Sequence, residues 1–148
     1  MFRFFKLAVI SFIIFFIFLY LMSLLIPSQV RISRAINIEA PPETVLPLIA
    51  DTANWKQWND MSSGNIDIRV ISSDAEKVAT EWHYKGRTIH SIFNIIPSGN
   101  ITIVQWYFDF RLRWYPWEKF GSITFDKQFG TSMESSLNNL KKVITNSP

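Results

Sequence analysis

The sequence predicts an α+β fold: a transmembrane helix, then one antiparallel sheet packed against a long C-terminal helix. Three observations point there. An uncharged apolar run opens the chain, two successive turns place the same apolar residues of three strands on one sheet face, and the final stretch is apolar at helical spacing.

The run Leu7–Ile26 carries no charge, and only Ser11, Tyr20 and Ser23 interrupt it. As a helix it spans roughly 30 Å, the thickness of a bilayer's hydrocarbon core. A buried core helix would show a polar edge. A cleaved signal peptide would have about 7–15 apolar residues and then small residues at the cut. Leu24-Leu25-Ile26-Pro27 offers no such site. Residues 1–29 are therefore expected to be an uncleaved, single-pass membrane anchor, with membrane lipid as partner, and residues 30–148 one small domain. Arg3, Lys6 and the terminal amine precede the span while Arg31 and Arg34 follow it. That balance favours a cytoplasmic N-terminus and an extracytoplasmic domain. The absence of cysteine is compatible with an oxidising compartment.

Of 148 residues, 15 are basic and 12 acidic; without Arg3 and Lys6 the balance is 13 to 12. Charges of both signs are scattered with no basic stripe, so no nucleic-acid partner is expected. All six tryptophans lie beyond the anchor.

Val30–Glu39 alternates in part (Ile32, Ala35, Ile36, Ile38) and reads as a first strand. Ala40-Pro41-Pro42-Glu43 ends it and opens a short helix, because proline suits the first helical turn. Val45, Leu46, Leu48 and Ile49 form that helix's apolar side, and Pro47 implies a kink or a shortened element. Asp51–Asn59 forms a second helical turn carrying Trp55 and Trp58.

Three further strands are expected at Lys77–Tyr84, Thr88–Ile96 and Ile101–Arg113, joined by Lys85-Gly86 and by Pro97-Ser98-Gly99-Asn100. Both loops are even in length, which determines the residues that share a face. Trp82 falls opposite Ile89; if Pro97 pairs with Asn100, Phe93 falls opposite Val104 and Ser91 opposite Trp106. One face then collects Val78, Thr80, Trp82, Tyr84, Ile89, Ser91, Phe93 and Ile95, with Thr102, Val104, Trp106, Phe108, Phe110 and Leu112 beside them. The other collects Glu81, His83, His90, Asn94, Gln105, Asp109 and Arg111. Ile66, Ile68 and Val70 join the apolar face only through an odd loop or a bulge.

An apolar face this wide needs a cover. Thr131-Ser132-Met133-Glu134 matches a capping box with Thr131 as N-cap. Met133, Leu137, Leu140 and Ile144 then line one helical face, and Lys141 and Lys142 sit near the negative end of the helix dipole.

Several stretches resemble a known superfamily. Ile26-Pro27-Ser28, the strand from Val30, Ala40-Pro-Pro-Glu-Thr-Val45, Leu48-Ile-Ala-Asp51, Asn54-Trp55 and Trp58 look like its opening. Trp114-Tyr-Pro-Trp-Glu-Lys-Phe120, Gly130, Met133-Glu134 and Leu137-Asn-Asn-Leu-Lys141 resemble the segment leading into its final helix. The superfamily is START-like, also labelled SRPBCC or polyketide cyclase/dehydrase. The resemblance implies a helix-grip fold, a curved antiparallel sheet around a long C-terminal helix, with an apolar space between them that commonly receives a hydrophobic ligand. This chain is a shortened version, with about five strands where the family usually has seven and only a short Ser/Gly-rich link between Trp58 and Ile66.

Sites for chemistry are sparse. His83, His90 and Glu81 share the polar face, where an exposed cross-strand cluster is expected rather than zinc, whose ligands need a supporting shell. There is no cysteine, no G-x-S-x-G elbow and no H-E-x-x-H helix, and Ser62, Ser63, Ser72 and Ser73 stand in turn-like stretches. No catalytic residue, metal or cofactor is expected. The candidate ligand-binding residues are Trp82, Tyr84, Ser91, Phe93, Trp106, Phe108, Phe110, Met133 and Leu137, with Tyr84 and Ser91 as the polar groups that orient a guest. Either these rings fill the core or part of the space stays open. Trp114–Phe120 forms a second aromatic cluster, on a loop or short helix, that seals the core or touches lipid headgroups. The expected function is non-catalytic binding of a small hydrophobic or lipid-derived ligand by a membrane-anchored domain. The alternatives are a cyclase/dehydrase-like enzyme, which needs an ionisable side chain directed inward, and a solid-core interaction module.

Overall fold

The computed structural model describes residues 2–62, 66–84 and 86–146. The chain divides into two compact units, Met1–Val30 with Arg111–Thr124, and Arg31–Phe110 with Phe125–Pro148. Residues 111–124 thus group with the N-terminal segment.

In the first unit, α1 (Phe2–Leu24) is a 23-residue helix, about 35 Å long. Its mean hydropathy is 2.7 and nearly all of it is exposed, so it is long and apolar enough to cross a membrane. The hydroxyl of Ser23 is satisfied within the helix by donating to the Tyr20 carbonyl at 2.7 Å, which removes its cost in an apolar setting. A second helix, α3 (Pro116–Ser122), starts with proline at its first position, where no N–H is needed.

The other unit is built on a five-stranded antiparallel sheet in the order β1-β5-β4-β3-β2, with β1 Gln29–Ile38, β2 Asp67–Ser73, β3 Lys77–Tyr84, β4 Arg87–Ser98 and β5 Ile101–Arg111. Trp82 pairs with Ile89 as expected. The β4–β5 register differs by two residues: Phe93 pairs with Trp106 rather than Val104, and Ser91 with Phe108 rather than Trp106. Ser98 pairs with Ile101, so Gly99-Asn100 is a two-residue turn, with Gly99 at φ +61°. Pro97 belongs to the strand because the amide of Ile95 points to the Glu76 carbonyl (2.7 Å). The missing N–H of Pro97 would point the same way, past the end of β3, where no ladder bond is lost. A shift of two preserves the facing, and Val78, Thr80, Trp82, Ser91, Phe93, Ile95, Thr102, Val104, Trp106 and Phe108 are all buried. Ile68 and Val70 oppose Trp82 and Thr80, with the register stepping at Ile71; this is the bulge their placement required. The turn at Lys85 and the Ser/Gly link at residues 63–65 lie outside the described residues.

After β1 comes α2 (Pro42–Ala50), only nine residues long with Pro47 inside it. A 3-10 turn, Thr52–Gln57, follows, begun by Asp51, whose carboxylate accepts the Ala53 amide at 2.9 Å. The cover is α4 (Thr131–Thr145), with Met133, Leu137, Leu140 and Ile144 buried as expected and Ser136 buried among them. The capping box does not form. A π-helical stretch, Asp126–Gly130, runs directly into α4, and Thr131 itself has helical φ and ψ (−64°, −43°). Its hydroxyl therefore donates back to the Lys127 carbonyl at 3.0 Å instead of capping.

Candidate functional site: the aromatic interior

Four tryptophans meet two phenylalanines on the buried sheet face. Phe93 and Trp106 stack at 4.8 Å between centroids, and Phe108 meets Trp82 at 5.0 Å and Trp106 at 5.2 Å. Trp55 and Trp58 fill the middle of this set: Trp55 lies 5.6 Å from Trp82, and Trp58 lies 6.1 Å from Phe93. Both are about 1% exposed. The short α2 explains their position. A helix leaves its last carbonyls unpaired, and here the Trp58 indole donates to the Leu48 carbonyl at 3.1 Å and the Trp55 indole to that of Ile49 at 2.9 Å. The sequence placed both on a helical turn without assigning them to the core; their size is the signal that could have done so.

The other two indoles are also satisfied. Trp106 donates to the Ser91 hydroxyl at 2.6 Å, and Trp82 to Thr80, whose own hydroxyl reaches the Ser91 carbonyl at 3.2 Å. Ser91, expected to orient a guest, thus accepts from a neighbouring ring. Tyr84, expected to line the same space, is 43% exposed at the end of β3. Of the remaining candidates, Trp82, Phe93, Trp106, Phe108, Phe110, Met133 and Leu137 are all buried.

At the other end the packing is looser. Phe110 meets Phe129 at 4.8 Å and Phe125 at 5.1 Å, and Phe129 reaches Phe108 at 6.5 Å. Phe125 and Phe129 are only half-buried, and Phe129 belongs to the π-helical stretch. Beside it Arg34, on β1, hydrogen-bonds Asp126 at 3.0 Å. Its guanidinium lies over Gly130, where a Cβ would collide with it. Arg34, Ala35, Ile36, Glu134, Leu137 and Asn138 line an open groove of about 190 Å³ between β1 and α4, below the roughly 300–1,000 Å³ of ordinary ligand pockets.

A polar latch that the sequence did not disclose joins α4 to the turn after Trp58. Ser136 accepts the Asp60 amide at 3.0 Å, while Ser135 and Asn139 donate to the Asp60 carboxylate at 2.6 and 3.2 Å. These partners stand about 75 positions apart, so no local pattern announces them.

On the opposite face Glu81 lies between His83 (3.7 Å) and His90 (3.5 Å), and all three side chains are about a third exposed or more. Among the described residues no three His, Asp or Glu side chains, these included, are placed so that they could hold one metal ion. Asp109 pairs with Arg31 through two hydrogen bonds of 2.6 and 2.8 Å, which hold the Arg31 guanidinium above its ordinary pKa. Arg31 also covers the Tyr107 ring at 4.3 Å. Within the sheet unit the buried polar side chains are Asn59, Thr80, Ser91, Thr102 and Ser136, with no acid, base or imidazole among the described residues.

A one-faced antiparallel sheet with an aromatic interior, gripped by a long C-terminal helix, is a helix-grip fold. Solved structures carry the same fold. DynU16, a putative protein of the dynemicin biosynthetic locus, superposes with a TM-score of 0.61 at 13% identity over 78% of this chain, which spans 47% of the length of DynU16. CalU16 from Micromonospora echinospora matches at 0.58 and 14% identity, covering 81% of this chain and 84% of that one. Truncated norcoclaurine synthase from Thalictrum flavum matches at 0.62 and 8% identity, covering 81% and 96%. No protein-family model and no curated protein matches the sequence.

Proposed function

We propose that this chain is a membrane-anchored START-like domain that holds a small hydrophobic or lipid-derived molecule without transforming it. The observation that carries the reading is the composition of the interior: rings, aliphatic side chains, hydroxyls and the Asn59 amide, with no buried ionisable side chain in the sheet unit among the described residues. Such an interior binds apolar matter, and its buried part has no group to move a proton. Trp55 and Trp58 occupy the middle, so the guest lies at the half-buried end, against Phe108, Phe110, Phe125 and Phe129, with Leu137 along the groove. Arg34 stands at that end, paired with an Asp126 side chain that is 70% exposed. An apolar molecule with an anionic end is the class this arrangement favours. The anchor places the domain at its source of lipid, on the extracytoplasmic side, which a reporter fused after Pro148 tests.

Native mass spectrometry of the full chain released from detergent should reveal a co-purifying apolar compound, and Phe129→Trp, which narrows the open end, should reduce its occupancy. A reproducibly empty chain, unchanged in thermal midpoint by added fatty acid, sinks the reading. The interlocked tryptophans favour one other function, an interaction module with a solid core, and that same empty result would support it.

A further inference from the structure

The stretch that joins α1 in the first unit carries aromatic residues that no core uses. Trp114 and Trp117 are 65% and 63% exposed. They are nevertheless ordered against one another: Tyr115 stacks on Trp117 at 4.9 Å with the planes 9° apart, and Trp114 meets Tyr115 at 4.7 Å. Three contacts tie this ledge to the C-terminal end of α1. The Trp114 ring meets that of Tyr20 edge-on at 6.4 Å, the Leu112 amide donates to the Ser28 carbonyl at 2.8 Å, and buried Lys119 donates to the Ile26 carbonyl at 3.0 Å. The charge of the unit is one-sided. It holds five basic residues (Arg3, Lys6, Arg111, Arg113, Lys119) against one acid, Glu118, for a net +4, while the sheet unit holds the remaining ten basic and eleven acidic residues.

We propose that this ledge is a second membrane contact, in which Trp114, Tyr115 and Trp117 sit in the headgroup boundary of the bilayer that α1 crosses and Arg111 and Arg113 face lipid phosphates. The inference rests on the reading of α1 as a span. An apolar helix about 35 Å long leaves the hydrocarbon near its C-terminal end, and the ledge is fastened at that end. Indole and phenol rings, apolar in body and polar at one tip, favour that depth, and nearby cations add attraction to anionic lipid. Exposed rings held in a stack at such a place have the membrane as their apolar partner. The ledge also sets how deep α1 sits and stops it from sliding or rotating freely.

The test uses the full chain in vesicles of phosphatidylcholine and phosphatidylglycerol whose acyl chains are brominated either near the headgroup or near the chain terminus. Trp55, Trp58, Trp82 and Trp106 are at most 3% exposed, so bromine in contact with protein reports on Trp114 and Trp117. Emission should fall by up to the share of two indoles in six, more with shallow bromine than with deep, and the doubly substituted W114F/W117F chain should lose this quenching while still floating with the vesicles. Wild-type chain that floats but is not quenched overturns the proposal and assigns the ledge to water or to a protein partner. Equal quenching of wild type and variant also overturns it, because the signal then comes from the interior. Stronger quenching by deep than by shallow bromine overturns it as well. A chain that does not float removes the span and the ledge together.

Discussion

Two tryptophan clusters in this chain are built from the same residue type for opposite surroundings. In the sheet unit Trp55, Trp58, Trp82 and Trp106 are almost wholly buried, and each indole N–H has a named acceptor within 3.1 Å. In the unit that holds α1, Trp114 and Trp117 are exposed over more than half their surface; Trp117 stacks on Tyr115, and Trp114 meets Tyr115 at a tilt and Tyr20 edge-on. A buried indole must find a partner for its N–H or carry a desolvation cost. An indole at a boundary can leave that end wet. The difference therefore separates rings that hold the fold together from rings available to an outside partner, which composition alone cannot do.

Substitutions should sharpen that contrast. The largest effect is expected at Trp106. Trp106→Ala removes a ring in contact with four others and leaves the Ser91 hydroxyl without its donor, and unfolding in urea followed by circular dichroism should show a loss of about 3–5 kcal/mol. A loss below about 1 kcal/mol would mean that the interior is open at this point. Next is the latch. Ser136→Ala deletes the acceptor of the Asp60 amide, and should cost about 1–2 kcal/mol in the same assay. Gly99→Ala should cost about 1 kcal/mol, since a Cβ at φ +61° is strained although nothing lies near it. Arg31→Ala removes an exposed pair and should cost about 0–1 kcal/mol, with the remainder falling as salt is raised. The smallest effect belongs to the ledge. W114F/W117F should leave urea stability within about 0.5 kcal/mol of wild type, as expected for exposed rings outside any core. A large loss there would show that the ledge seals a core.

Legibility followed the range of the interactions. The strand sides were readable because alternation and even loops depend on neighbours in sequence, and an error of two residues at Pro97 changed partners without changing faces. The apolar side of α4 was readable for the same reason. Its start was not, because Thr131-Ser132-Met133-Glu134 has the residues of a capping box while the incoming chain is already helical from Asp126. Tyr84 had the right parity for the interior but lies at the end of β3, where the cover runs out. The candidate site was legible as a set of rings on one face. That Trp55 and Trp58 would enter among them was not, since it depends on α2 ending where its carbonyls meet their indoles.

By itself the sequence determined the apolar span, the alternation that makes the sheet one-faced and the helix able to cover it, because each is a periodicity expressed over adjacent residues. The tertiary structure alone decided how much of the aromatic interior is filled, that residues 111–124 group with α1, and which end of the interior is loosely packed. Those outcomes depend on rings and carbonyls brought together from distant positions, where volume and hydrogen-bond geometry, rather than sequence spacing, set the result.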